Sequence, residues 1–130
     1  MSSAPPSEKR SILFVDDERG VRKVAEQSLK RAGFDVLAAQ DGEQALELFI
    51  EHRAHIGLVI LDLNMPGLGG VETLERLRQL DDQVRVVLSS GYDAQETLQT
   101  LSNHELLGFI QKPYRISTLI AQVERLLEPA

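Results

Sequence analysis

The feature that most constrains this chain is a rhythm. From Ser11 onward, aliphatic runs of three to five residues alternate with longer amphipathic stretches. Such alternation predicts parallel strands joined by helical crossovers, because each helix then covers one face of a sheet. The predicted strands are Ile12–Val15, Phe34–Ala38, Leu58–Leu61, Val84–Leu88 and Phe109–Gln111. The first predicted helix repeats apolar or small residues at three- and four-residue steps: Val21, Val24, Ala25, Ser28, Leu29 and Ala32. In the last, Ile116, Leu119, Ile120, Val123, Leu126 and Leu127 form one stripe, with Gln122, Glu124 and Arg125 off it. Gly33 stands where the first helix should stop, and Asp41 with Gln44 has the spacing of a capping box for the second. The expectation is an α/β fold, a single (βα)5 domain of five strands and five helices.

The apolar content of the strands orders them. Strands one, three and four are almost wholly apolar, whereas strand two carries Asp35 and strand five Gln111. Central strands of a parallel sheet are buried on both faces and edge strands need not be. The doubly wound order 2-1-3-4-5 meets this requirement and puts the topological switch point between strands one and three, at their carboxyl ends.

Composition narrows the function classes. At 130 residues the chain has the length of one domain, for which residues 11–127 are expected to fold, with 1–10 a flexible leader and 128–130 a C-terminal tail. Fourteen Lys and Arg against 20 Asp and Glu give a net charge of -6, which argues against direct nucleic-acid binding. The absence of cysteine excludes disulfides, thiolate nucleophiles and Cys-liganded zinc, and suits a cytoplasmic setting. No apolar run approaches the roughly 20 residues needed to span a bilayer.

The chemistry-bearing residues gather at the predicted strand ends. Strand one runs into Asp16 and Asp17, strand three into Asp62, strand four into Ser89, Ser90 and Gly91, and strand five into Lys112 and Pro113. Three carboxylates on one rim repel each other unless a cation neutralises them. With no His or Cys beside them, a hard divalent ion such as Mg2+ suits the set. Adding the Lys112 ammonium and the Ser90 hydroxyl makes the rim a receptor for a phosphoryl group, with Asp62 as nucleophile. A carboxylate is already ionised, so no histidine base is required. His52, His55 and His104 are accordingly read as solvated surface residues.

Four segments, in order, make the chain resemble the receiver domains of two-component response regulators. They are Ile12-Leu-Phe-Val-Asp-Asp-Glu18, Leu58-Val-Ile-Leu-Asp-Leu-Asn-Met-Pro66, Val86-Val-Leu-Ser-Ser-Gly91 and Gly108-Phe-Ile-Gln-Lys-Pro113. The resemblance implies a flavodoxin-like fold and a switch phosphorylated on Asp62. It implies Mg2+ held by Asp16, Asp17, Asp62 and the backbone carbonyl of Asn64, with Ser90 the switch hydroxyl and Lys112 the phosphate-pairing cation. By the same resemblance Phe109 is the aromatic switch, Lys112-Pro113 is a cis peptide bond, and the surface of the fourth helix, fifth strand and fifth helix responds. The implied partners are a histidine kinase or histidine phosphotransfer protein and a downstream target or attached kinase; a phosphorylation-dependent homodimer is a further expectation. Ser89-Ser-Gly-Tyr-Asp93 and Gln111-Lys-Pro-Tyr114 lean toward receivers of hybrid histidine kinases, and Tyr92 is expected to shield the phosphoryl group.

The sequence departs from the family pattern at Gly69, which stands where an Asp or Asn cap is usual before the third helix. A different chemistry with similar residues is that of the haloacid dehalogenase phosphohydrolases. Those enzymes usually carry the nucleophile after the first strand with a second Asp two residues on, whereas Asp62 follows the third strand and is followed by Asn64. Asp16 and Asp17 also have a plain structural reading, as N-cap residues of the first helix.

Overall fold

Aliphatic β-branched segments buried on both faces pair in parallel only when a crossover returns the chain to the same edge. The computed structural model, which describes residues 11–65, 67–91 and 108–127, is built in this way. Strands β1 (Ser11–Val15), β2 (Asp35–Ala39), β3 (Ile56–Asp62), β4 (Val86–Ser90) and β5 (Gly108–Gln111) form one sheet of order β2-β1-β3-β4-β5. Every neighbouring pair is parallel. The helices among the described residues are α1 (Arg19–Arg31), α2 (Gly42–His52), α3 (Gly70–Leu80) and α4 (Ile116–Leu127). The expected helix between the fourth and fifth strands, the leader 1–10, the tail 128–130, Tyr92 and His104 lie outside the described residues.

Side-chain alternation divides the core into two layers. Leu13, Val15, Val59 and Leu61 join Phe49 of α2 and Leu74 and Leu77 of α3 on one face. Ile12, Phe14, Leu58 and Ile60 join Ala25 and Leu29 of α1 and Leu119 and Val123 of α4 on the other. All six stripe residues of the last helix pack into this second layer. In α1 the stripe holds except at Val24, which is 52% exposed because it faces an open groove beside Glu18, Lys112 and Tyr114.

Local punctuation explains most element ends. After α1, Gly33 adopts φ +100°, its N–H donates to Lys30 O at 3.0 Å, and the Phe34 N–H donates to Leu29 O at 3.1 Å. This is a Schellman closure, which needs a residue without a Cβ penalty at that point and draws Phe34 out of the predicted strand. Asp41 caps α2 by accepting from the Gln44 N–H at 2.8 Å, while the Gln44 side chain accepts from Gln40, one residue outside the expected box. Gly69 caps α3 with no side-chain bond, as its identity requires.

The strands reach further toward the carboxyl edge than the apolar runs do. Asp62 pairs with Ser89, and the Leu63 N–H donates to Ser89 O at 2.9 Å. The ladder therefore carries Asp62, Ser89 and Ser90 inside the sheet rather than just past it. At the other end of β4, the Val84 N–H is taken by Asp81 O in a turn, so the strand begins at Val86.

Gly70 sets how closely α3 approaches this edge. A Cβ there would lie 2.5 Å from Leu63 Cα and 2.6 Å from Asp62 O, both backbone atoms that cannot rotate aside. Gly70→Ala is expected to lower stability by about 2 kcal/mol, the usual cost of overpacking. It should also shift the backbone amides of Leu63 and Asn64. Equilibrium denaturation with amide chemical shifts checks this; an unchanged midpoint would refute the close approach.

Candidate functional site

Parallel pairing brings the carboxyl ends of the strands to one edge, and there the sequence has placed its acids. Asp16 and Asp17 follow β1, Asp62 closes β3, Ser90 closes β4 and Lys112 follows β5. One carboxylate oxygen from each of Asp16, Asp17 and Asp62 lies within 4.8 Å of the other two. Asp16 and Asp62 are buried at 0% and 1% exposure, whereas Asp17 is exposed. Lys112 leans into the cluster, its Nζ 2.7 Å from Asp16 Oδ2, 3.1 Å from Asp62 Oδ2 and 3.5 Å from Glu18 Oε1. Its backbone N–H donates to Ser90 O at 2.7 Å, and the Lys112-Pro113 peptide bond is cis, as expected.

Burial and charge act against each other here. Desolvation pushes the Asp62 carboxyl up to about 6, with Asp16 adding to the rise and the Asn64 N–H and Lys112 opposing it. Burial alone would depress Lys112, but hydrogen bonding and charge from Asp16, then from Asp62, hold it above the ordinary lysine value. The ammonium is therefore a fixed cation. The Tyr114 hydroxyl, buried without a hydrogen-bond partner, is pushed up to about 12 by desolvation and then by Asp16, and is a neutral phenol.

The donor set fits a hard divalent cation. All three contributors are carboxylates, as Mg2+ prefers. Asp16 Oδ2 is paired with the Lys112 ammonium at 2.7 Å, whereas Asp17 brings an exposed carboxylate to the same cluster. Three carboxylates beside one ammonium are also undercompensated in charge.

Asn64 does more here than the sequence suggested. Its backbone N–H donates to Asp62 Oδ1 at 3.1 Å, and its side-chain amide donates to Ser90 Oγ at 3.1 Å. The side-chain bond joins the β3 and β4 ends across the rim. Phe109 lies apart from the acids: half-buried, it is in register with Leu88 and packs against the first core layer. The capping reading of Asp16 and Asp17 does not hold, because the N-cap of α1 is Glu18, without a side-chain cap bond. Instead Asp16 Oδ1 accepts from the Glu18 N–H at 2.9 Å.

Three neighbours of the site escaped the sequence reading. Glu18 and Tyr114 adjoin Lys112, and Arg22 donates from Nη1 to the Asp16 carbonyl at 2.8 Å. Glu18 sits within the Asp-Asp-Glu run and Tyr114 within the Lys-Pro-Tyr run, so both were visible as neighbours. Arg22 had only its place one turn into a helix that starts beside the acids. Of the histidines, His55 is exposed and His52 is half-buried on α2, its Nε2 3.5 Å from Glu51 Oε1.

Comparison with known proteins gives a consistent picture. The family model described as the response regulator receiver domain matches residues 12–124. The chain is 30% identical over 116 residues to sporulation initiation phosphotransferase F of Bacillus subtilis, covering 89% of this chain and 92% of that one. It is 36% identical over 123 residues to the probable transcriptional regulator ycf27 of Porphyridium aerugineum. There it covers 92% of this chain but spans only about half, 49%, of the relative. The crystal structure of the receiver domain from the hybrid histidine kinase CckA superposes with a TM-score of 0.75 at 36% identity, covering 91% of this chain and 99% of that one.

Proposed function

Because this chain belongs to the response regulator receiver family, phosphoryl-accepting switches in signalling, we propose that Asp62 is its acceptor and that Asp16, Asp17, Asp62 and the Asn64 carbonyl hold Mg2+. The observation that carries this is the meeting of Asp16, Asp17 and Asp62 within 4.8 Å, with the Lys112 ammonium 3.1 Å from Asp62. In the proposed reaction an Asp62 carboxylate oxygen bonds to the phosphorus of a phosphohistidine. The P–N bond breaks and its electron pair returns to the donor imidazole. Lys112, a permanent cation here, pairs with the phosphoryl oxygens, and the Ser90 hydroxyl donates to one of them. Bound Mg2+ supplies positive charge to the transferring oxygens. Slow attack of water on phosphorus regenerates the carboxylate and releases phosphate, so the chain catalyses only its own phosphorylation and dephosphorylation.

The switch follows from the competition at Ser90. Its Oγ now accepts from the Asn64 amide. A phosphoryl group on Asp62 offers that hydroxyl a charged acceptor, and Ser90 leaves Asn64 for it. On this reading Phe109 turns into the space vacated and remodels the neighbouring surface, where a target or attached kinase binds or a homodimer forms. The donor is a histidine kinase or histidine phosphotransfer protein. None of the described helices is long and apolar enough to cross a membrane.

Incubation with Mg2+ and acetyl phosphate tests the reading. Intact-mass analysis should show one added phosphoryl group per chain, removed by hydroxylamine and absent when EDTA replaces Mg2+. Sustained turnover of simple phosphate monoesters, or a hydroxylamine-stable adduct, would replace it with phosphohydrolase or hydroxyl chemistry.

A further inference from the structure

Two acids adjacent in a chain point in different directions unless the peptide between them is held. Asp16 and Asp17 follow β1, and only Glu18 separates them from α1. Asp16 is fixed at three atoms. Its N–H donates to Ala39 O at 3.1 Å, its Oδ1 accepts from the Glu18 N–H at 2.9 Å, and its carbonyl accepts from Arg22 Nη1 at 2.8 Å. The third contact differs in kind. A peptide unit is planar, so holding its carbonyl oxygen fixes the plane that joins Asp16 to Asp17. That plane sets the direction in which the exposed Asp17 leaves the backbone relative to the buried Asp16.

Arg22 is well placed to act as this clamp. It is half-buried on α1, and its own N–H donates to Glu18 O at 3.0 Å in the first turn, so its backbone moves with the helix. A guanidinium donor to a carbonyl is charge-assisted, and its planar fork holds direction better than an ammonium does. The guanidinium also adds a cation at the Asp16 backbone, in a cluster where Lys112 pairs closely with Asp16 and Asp62.

We infer that Arg22 is a positioning residue for the divalent-cation site: by clamping the Asp16 carbonyl from α1 it fixes the relative directions of the Asp16 and Asp17 carboxylates. This rests on the reading of those acids as Mg2+ ligands. The residue touches neither ion nor phosphoryl group and acts through the peptide plane. Removing such an outer partner typically weakens a metal site by tenfold or more.

The test is Mg2+ titration of the whole chain, followed by amide chemical shifts, for the unaltered protein, Arg22→Met and Arg22→Lys, with thermal unfolding at zero and saturating Mg2+. The unaltered protein should bind one Mg2+ at the acids; if it binds none, the metal reading itself fails and the inference falls with it. Arg22→Met should bind about tenfold more weakly, and Arg22→Lys, which keeps charge but loses the fork, should lie between. A purely structural role would lower both unfolding midpoints equally and leave Mg2+ affinity unchanged, which would overturn the inference. Should Arg22→Met fail to fold, Arg22→Lys decides alone: weakened Mg2+ binding supports the clamp, and full affinity overturns it.

Discussion

Asp62→Asn is expected to abolish phosphoryl uptake from acetyl phosphate while making the ion-free protein more stable. The amide keeps the size of the carboxyl but offers no anionic oxygen to phosphorus, so intact-mass analysis should find no hydroxylamine-labile adduct. The stability gain has a separate cause. Burial lifts Asp62 from 3.8 to about 6, so between those values the folded state binds more protons than the unfolded one. The contribution of Asp62 to stability therefore falls as pH rises from about 4 to about 6, and the cost of the buried anion is fully present above that. Asn carries no such charge. The lift of Asp62 to about 6 is already net of the pairing with Lys112, so the gain at neutral pH should be on the order of 1 to 3 kcal/mol. Its pH profile should lack the decline between 4 and 6. Urea unfolding across pH checks the second half, and persistent uptake by the variant would remove Asp62 as acceptor.

Lys112→Met should have the larger effect on stability. The methionine keeps the aliphatic stem but leaves Asp16 and Asp62, at 0% and 1% exposure, without their ammonium. Breaking a buried ion pair from one side costs more than forming it gains, about 3 kcal/mol or more, because the remaining charge stays desolvated. The sign of the pH dependence follows from Asp62. Without the cation its carboxyl titrates higher still, so the variant recovers stability as pH falls and the proton binds. The deficit should be greatest at pH 7 to 8, shrink toward pH 5, and be partly offset by saturating Mg2+. A deficit that does not change with pH would mean that Lys112 contributes packing rather than charge.

How much of this was legible beforehand depended on whether neighbours in the chain were neighbours in the effect. The apolar stripe of α4 settles which of its side chains face the core, and Gly33 and Asp41 close and open helices through bonds to residues a few positions away. Such features are local, so pattern alone reveals them. The strand ends were less visible, because Asp62 and Ser89 are held in the sheet by each other rather than by their own hydrophobicity. Val24 has the right spacing for the core and still faces an open groove, since what covers it is decided by another element.

The sequence by itself determined the sheet order and the gathering of Asp16, Asp17, Asp62, Ser90 and Lys112 on one edge, because parallel strands with apolar centres leave few topologies and their ends share a side. Only the tertiary structure decided which of these acids are buried, that Asn64 holds Ser90, and that Arg22 grips the Asp16 carbonyl. Those are contacts of a few ångströms between groups set by the packing of separate elements, and no periodicity along the chain encodes a distance across it.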